Sequence, residues 1–408
     1  MTAKVNIINI GNELLLGQTI NTNLSWLGKE LAALGLPVTR AEIVKDEPEE
    51  IKSALQKAWN TSEIVIMSGG LGPTNDDVTK AVICDFFNKQ LEFRAEVWAS
   101  VEQIFLSKGK PVPEINRSQA MVPSDFHTLI NSKGTAPGLY YREGDKSFFA
   151  LPGVPIELQY LFSEYIKAIL QKNYHTEPLI IRNLHTWKIS ESALAEKLPS
   201  QKLPEGVSLA WLPQTGRVDL RIYGPNQERV EKVTEQIRNT IAEYIWGIDD
   251  ETPALVLHQL LLEKRMTLSV AESCTGGWLQ KLLTDNSGAS NYLRGGVVSY
   301  SNEVKISVLH VPRETIAEFG AVSVQTAKAM AEGVRALCQS DLGIAITGIA
   351  GPEGGSVEKP VGTVCFALSD NNGTKTERVI FDGDRNSIRW KAAEYMLFVV
   401  IEYLRSNS

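Results

Sequence analysis

The stretch Thr267-Leu268-Ser269-Val270-Ala271-Glu272-Ser273-Cys274-Thr275-Gly276-Gly277 decides how this chain is read. Thr267 to Ala271 is a short, mostly apolar run that predicts a strand, and the Ser/Cys/Thr/Gly turn after it opens a helix. A hydroxyl at such a turn lies near unpaired backbone N–H groups at the positive end of the helix dipole. Those groups can favour an alkoxide and also receive the oxyanion that forms when a carbonyl is attacked. Plain helix capping by Ser273 or Thr275 accounts for the same residues without chemistry.

A serine nucleophile needs a base. The C-terminal part of the chain offers two histidines. His258 falls inside a predicted helix and His310 follows an apolar stretch, so both read as structural. A Ser–Lys pair dispenses with histidine, provided that the lysine is neutral and its pKa falls from ~10.4 through burial or neighbouring positive charge. Tyr300-Ser301-Asn302-Glu303-Val304-Lys305 supplies such a lysine just beyond what reads as a buried strand, Gly296 to Tyr300. A solvated lysine on a helix fits the same spacing. Cys274 is the rival nucleophile to Ser273. A second glycine-rich run, Thr347-Gly348-Ile349-Ala350-Gly351-Pro352-Glu353-Gly354-Gly355-Ser356, again follows an apolar strand. Loops of this kind can cradle phosphate through backbone N–H groups, though no Walker spacing is present.

Working outward, 408 residues with 43% hydrophobic content suggest two or three domains with packed cores. The first ~170 residues alternate apolar strands with amphipathic helices. Val5 to Ile10 and Glu63 to Met67 read as buried strands, and a helix carrying Leu24, Leu27, Leu31 and Leu34 lies between them. A glycine-rich loop follows the second strand, and a further helix begins at about Asp76. This order predicts a parallel sheet with crossover helices. Residues 171–250 read as a small α+β module. Gly247 to Pro253, rich in acids, reads as a solvated linker or a turn.

Formal net charge is 41 − 48 = −7, with both signs scattered. This opposes a nucleic-acid-binding surface, which needs clustered Lys and Arg. The four cysteines (Cys84, Cys274, Cys338, Cys365) form no CxxC pair, so neither a zinc site nor a disulfide framework is legible. The opening MTAKVNIINIGNE lacks the features of a signal peptide, and no apolar run approaches the ~20 residues of a membrane helix. The expected address is a reduced cytoplasm.

AESCTGG, the YSNEVK segment, GAVS (Gly320 to Ser323), TGIAGPEGGSVEKPVGTV and FDGDR (Phe381 to Arg385) together resemble the C-terminal domain of the CinA family, which also stands alone as the bacterial nicotinamide-nucleotide deamidase. The resemblance implies hydrolysis of nicotinamide mononucleotide to nicotinic acid mononucleotide and ammonia, with no cofactor. Carried onto this chain, it implies Ser273 as nucleophile and Lys305 as general base, with Tyr300 and Asn302 flanking the base. It places Cys274, Thr275, Gly276 and Gly277 at the oxyanion turn, and Thr347, Gly348 and Gly351 on the substrate loop.

The N-terminal part resembles the molybdopterin-binding-like domain of the same family. The likeness rests on Gly11-Asn12-Glu13, on Ser68-Gly69-Gly70-Leu71-Gly72-Pro73-Thr74-Asn75-Asp76-Asp77, on Asn131 with Gly134 to Gly138, and on Leu151 to Pro155 with Glu157. It implies a nucleotide site (Glu13, Gly69, Gly70, Gly72, Thr74, Asp76, Asp77) and metal-assisted cleavage of ADP-ribose, with a divalent cation at Asp76 and Asp77. Helix N-capping is the plain alternative for those two aspartates. The family more often has an aspartate where Asn12 stands, which leaves Glu13 as the only acid of its motif.

The middle part resembles the family's KH-type module, but no GxxG clamp lies between Gln171 and Asp250, so a spacer or dimer-forming role is expected rather than RNA binding. The expected fold class is α/β: an N-terminal molybdopterin-binding-like three-layer domain (1–170), a small KH-like α+β module with linker (171–250) and a C-terminal α/β deamidase domain (251–408). A homodimer is expected, and neither membrane nor nucleic acid as partner. Two rival readings stay open: pyrophosphatase chemistry at the N-terminal site as the main activity, and a non-catalytic, competence-linked nucleotide-binding protein.

Overall fold

The computed structural model describes residues 3–74, 77–198, 203–214 and 217–406. The chain separates into two compact units. One comprises residues 1–181, 203–208 and 222–232, and the other comprises 182–202, 209–221 and 233–408.

The N-terminal unit is built on β1 (Val5–Ile10), β2 (Val38–Val44), β3 (Ile64–Ser68), β4 (Leu91–Phe93), β5 (Met121–Pro123), β6 (His127–Leu129), β7 (Gly138–Glu143) and β8 (Lys146–Leu151). Six of these form one sheet in the order β2-β1-β3-β8-β7-β6. Its β2, β1, β3 and β8 are parallel, as the strand–helix alternation predicts, whereas β7 pairs antiparallel with both β8 and β6. The all-parallel expectation is corrected there. The physical reason is the two-residue turn Gly144-Asp145 between paired Glu143 and Lys146, with Gly144 at φ 58°, a connection that can only return the chain antiparallel.

Side chains on the two faces of this sheet separate into two cores. Ile8, Ile10, Val65, Met67 and Phe148 belong to one, and Val5, Ile7, Ile64, Ile66 and Phe149 to the other. That period-two division makes three layers. The helix after the glycine loop spans Thr79–Phe87, three residues later than its predicted start.

The middle module contributes β9 (Ile180–Thr186), β10 (Ser208–Gln214), β11 (Arg217–Gly224) and β12 (Ile245–Ile248), in the order β10-β11-β9-β12, with a helix over Gln227–Thr240. Gly247 to Pro253 is not a loose linker. Gly247 and Ile248 pair with β9, the Asp249 carboxylate accepts the Asn183 N–H at 2.9 Å, and Pro253 already opens a helix.

The C-terminal sheet runs β14 (Leu293–Val298), β13 (Leu268–Glu272), β15 (Leu342–Gly348), β16 (Thr363–Ser369) and β17 (Thr374–Ile380), in that spatial order. β14, β13 and β15 are parallel, and β16 and β17 are antiparallel. Helices Pro253–Lys264, Trp278–Thr284 and Arg385–Ser406 pack on one face, and Val324–Cys338 packs on the other. The strand before Lys305 was expected to be buried. It is an edge strand with alternating exposure that ends at Val298, which leaves Tyr300 in a loop.

All four cysteines are free. Among the described residues no helix is long and apolar enough to cross a membrane. Phe148 is fully buried, with the rings of Phe87 and Phe126 at 5.2 and 6.1 Å. Phe148→Ala is expected to destabilise the N-terminal unit by about 3–5 kcal/mol, read as a lower urea midpoint in far-UV circular dichroism.

Candidate active site

The period of two along β13 sorts the motif residues. Leu268 and Val270 face the core under Trp278–Thr284 and Arg385–Ser406, whereas Ala271 faces the core under Val324–Cys338. Continued past the strand end, the same alternation sends Glu272 and Cys274 towards the first side and Ser273 towards the second.

Ser273 is held by its own N–H, which donates to the Ile346 carbonyl of β15 at 2.9 Å. On its side stands Lys305, in the helix Asn302–Ser307, whose first turn is capped by Ser301 Oγ accepting the Val304 N–H. Lys305 is 1% exposed and Ser273 is 8% exposed. Lys305 Nζ donates to Ser273 Oγ at 3.1 Å and to the Ser299 carbonyl at 2.6 Å. Among the described residues no carboxylate bonds this amine. Burial holds its pKa below the ordinary lysine value, while the nearby Cys274 sulfur acts the other way. Sequence spacing left open whether Lys305 meets Ser273 or solvent, and the side chains meet.

Cys274 lies in the apolar core, with its sulfur against Gly348: a Cβ added to Gly348 would stand 3.1 Å from it. Desolvation pushes the thiol pKa up to about 12. A thiol in that state is a poor nucleophile near neutral pH.

The helix N-terminus differs from expectation. Its N–H groups are not open to a ligand, because the fully buried Glu272 carboxylate fills them. Oε2 accepts from Gly277 N (3.0 Å) and Leu279 N (3.1 Å), and Oε1 accepts from Gln280 N (2.8 Å) and Gln280 Nε2 (3.2 Å). Gly276 N donates to the Ser273 carbonyl at 3.1 Å. Of the expected oxyanion turn, the Thr275 N–H remains without an acceptor among the described residues. The Thr275 hydroxyl is buried and equally unpartnered. Gly276 and Gly277 take φ of 61° and 94°, which the tight turn requires.

The other expected residues are placed as follows. Thr347 Oγ1 donates to the Ala321 carbonyl at 2.8 Å. Tyr300 is 61% exposed, and its hydroxyl accepts from Arg385 Nη2 at 2.9 Å, while Arg385 Nη1 donates to the Gly351 carbonyl at 2.6 Å. Asn302 is the exposed first residue of its helix, away from the buried pair. His258 is packed edge-on against Tyr292 at 5.3 Å, and His310 lines an apolar groove with Phe319 and Leu337. Sequence reasoning missed Glu272, Arg385 and Arg389. All three sit in or beside the quoted motifs, but a motif does not say which of its members grips the backbone.

In the N-terminal unit, Gly69 and Gly70 follow β3 at the carboxyl end of the parallel strands, and Gly69 N donates to the Leu151 carbonyl at 3.0 Å. A Cβ on Gly70 would fall 2.1 Å from Thr79 Oγ1. Asp77 does not cap the helix. Its Oδ1 accepts from Gly72 N at 2.8 Å and its Oδ2 from Thr74 N at 2.9 Å, so both oxygens close the loop. The exposed Glu13 folds its carboxylate over Gly11. Asp76 lies outside the described residues. Among those described, no group of three or more His, Cys, Asp or Glu is arranged to hold a metal ion.

Three family models match the chain: CinA C-terminal domain over residues 250–404, "Probable molybdopterin binding domain" over 6–172, and damage-inducible protein CinA KH domain over 181–247. The CinA-like protein of Cytophaga hutchinsonii is 38% identical over 95% of this chain and 94% of its own length. That of Gemmatimonas aurantiaca is 41% identical over 96% and 94%, and that of Dictyoglomus thermophilum is 38% identical over 98% of both. The chain belongs to the CinA family. Its α/β architecture is the family's succession of molybdopterin-binding-like, KH and CinA C-terminal domains.

For the CinA chain the buried thiol generates a direct check. Cys274 is expected to resist iodoacetamide at pH 8 in the folded protein and to react fully in denaturant, as read by mass spectrometry. The raised pKa also sets a sign: above about pH 9 the unfolded thiol ionises and the folded one does not, so this group's contribution to stability falls as pH rises towards 12. Rapid native alkylation of Cys274 would reopen the rival nucleophile.

Proposed function

We propose that the C-terminal domain hydrolyses the carboxamide of nicotinamide mononucleotide, releasing ammonia. The single observation that carries this reading is the Lys305 amine, buried and without a bonded carboxylate, 3.1 Å from the Ser273 hydroxyl. Neutral Lys305 takes the Ser273 proton as Oγ attacks the carboxamide carbon. The oxyanion is received at the Thr275 N–H. When the C–N bond breaks, the Lys305 ammonium returns its proton to the departing nitrogen, which leaves as ammonia. A water molecule then gives its proton to Lys305 and attacks the acyl carbon, so that nicotinic acid mononucleotide departs and Ser273 is restored. No cofactor takes part in this cycle. Nicotinamide mononucleotide is chosen as substrate on the likeness of the five C-terminal motifs to the nicotinamide-nucleotide deamidase domain.

The N-terminal loop supports a narrower proposal, the binding of a phosphate-bearing nucleotide such as ADP-ribose. The supporting observation is its place at the carboxyl ends of β1 and β3, where open α/β sheets hold ligands.

Ammonia release tests the main reading. Ser273→Ala and Lys305→Ala are expected to lower kcat by about 10⁴-fold or more, Cys274→Ala to have a modest effect, and EDTA to have none. Because only neutral lysine accepts the proton, kcat should rise with pH through an apparent pKa below 10.5 and level off above it. Activity confined to phosphate products and abolished by EDTA would move the main function to the N-terminal domain. Nucleotide binding without turnover would make the chain a binding protein.

A further inference from the structure

The segment 273–277 is gripped from two directions by the side chains of Glu272 and Arg389, which do not reach the Ser273 hydroxyl. From the strand side, the Glu272 carboxylate bonds the N–H groups of Gly277, Leu279 and Gln280. From the helix Arg385–Ser406, Arg389 Nε donates to the Cys274 carbonyl at 3.0 Å and Nη2 to the Thr275 carbonyl at 3.0 Å. The guanidinium is itself steadied over the Trp278 ring, 5.4 Å from its centroid. Its fork reads two successive carbonyls, which a lysine ammonium cannot match in shape.

These contacts fix orientation as well as position. In a trans peptide the carbonyl and the following N–H point in opposite directions. With the Cys274 carbonyl drawn to Arg389, the N–H of Thr275 must face away from Arg389, and it is this N–H that has no acceptor among the described residues. Glu272 does the complementary work. It occupies the helix N–H groups that would compete for an oxyanion and fixes Gly277, where the turn ends. Its backbone carbonyl also accepts the Ser299 N–H at 2.7 Å, and the Ser299 carbonyl in turn accepts Lys305 Nζ at 2.6 Å. One residue therefore ties the nucleophile turn to the segment that seats the base.

We propose that Glu272 and Arg389 are positioning residues that hold the turn 273–277 so that the Thr275 N–H stays open to the oxyanion formed at Ser273. This deepens the amidohydrolase reading and rests on it. Neither residue touches substrate in this scheme.

The test compares the full-length protein with Glu272→Gln, Arg389→Lys and Arg389→Ala in three measurements: thermal unfolding, kcat and KM for ammonia release from nicotinamide mononucleotide, and the rate of Ser273 labelling by a fluorophosphonate probe. Glu272→Gln and Arg389→Ala are expected to lose about 10²-fold in kcat, the scale of one oxyanion donor, with KM within about threefold of the parent. The pH midpoint of kcat should stay put, because Lys305 keeps its surroundings. Arg389→Lys should recover little, whereas added methylguanidinium should restore part of the kcat of Arg389→Ala and none of that of Lys305→Ala. A merely structural role would instead show as a lowered melting temperature with KM and kcat degrading together and no rescue. Folded variants with kcat within threefold of the parent overturn the proposal. Should Glu272→Gln fail to fold, Arg389→Ala decides alone. If the parent releases no ammonia, the substrate reading fails, while slower probe labelling in the variants still supports the clamp and unchanged labelling overturns it.

Discussion

A lysine amine that is buried and, among the described residues, bonded by no carboxylate is the constraint around which the C-terminal domain is arranged. Taking an ammonium out of water costs several kcal/mol, and a protein normally offsets this with a carboxylate. Lys305 has instead a carbonyl and a hydroxyl, the Ser299 oxygen at 2.6 Å and Ser273 Oγ at 3.1 Å. Neutral partners satisfy the donors of the amine without compensating its charge, so the neutral form gains relative to the ammonium. A carboxylate at the same place would raise the pKa and end any role as a base. The one strong negative charge on the motif, Glu272, is directed to the other side of β13 and is matched there by helix N–H groups. The alternation of a β-strand thus keeps an amine and a carboxylate, 33 residues apart in sequence (305 − 272), from pairing with one another.

The same alternation separates the two candidate nucleophiles. Ser273 and Cys274 are neighbours with reactive heteroatoms, and composition cannot rank them. Position can. The cysteine continues the apolar row of Leu268 and Val270 into the core, whereas the serine continues the row that meets Lys305. Burial raises a thiol's pKa and silences it, but the hydroxyl needs only a neighbouring base.

Much of this was legible beforehand where short-range pattern decides the outcome. The strand β13, the turn and helix after it, and the domain order follow from periodicity and motif. What was not legible depends on pairing partners far away in sequence. β14 was read as buried from its apolar content, but an edge position is a property of the sheet, not of the strand. The reversal at β7 lies in a two-residue Gly144-Asp145 turn, a hairpin signal that strand–helix alternation does not carry. Arg389 could not be assigned, because its partners lie 115 and 114 residues earlier. Tyr300 and Asn302 flank Lys305 in sequence, yet one binds Arg385 and the other opens a helix to solvent.

Two of the glycine-rich loops that follow parallel strands, those after β3 and β13, each keep an acid that invites a catalytic or metal-binding reading. In both, the acid is engaged by backbone. Asp77 joins Gly72 to Thr74 with its two oxygens, and Glu272 joins Gly277, Leu279 and Gln280. The reason is general. Glycine lets the main chain bend sharply but supplies no side chain to hold the bend, so such a loop exposes N–H groups that need an acceptor, and a carboxylate is the strongest one available. An acid beside a run of glycines therefore has a structural use that must be subtracted before chemistry is assigned to it. In the C-terminal domain that subtraction leaves Ser273 and Lys305, 3.1 Å apart, as the pair to which chemistry can be assigned.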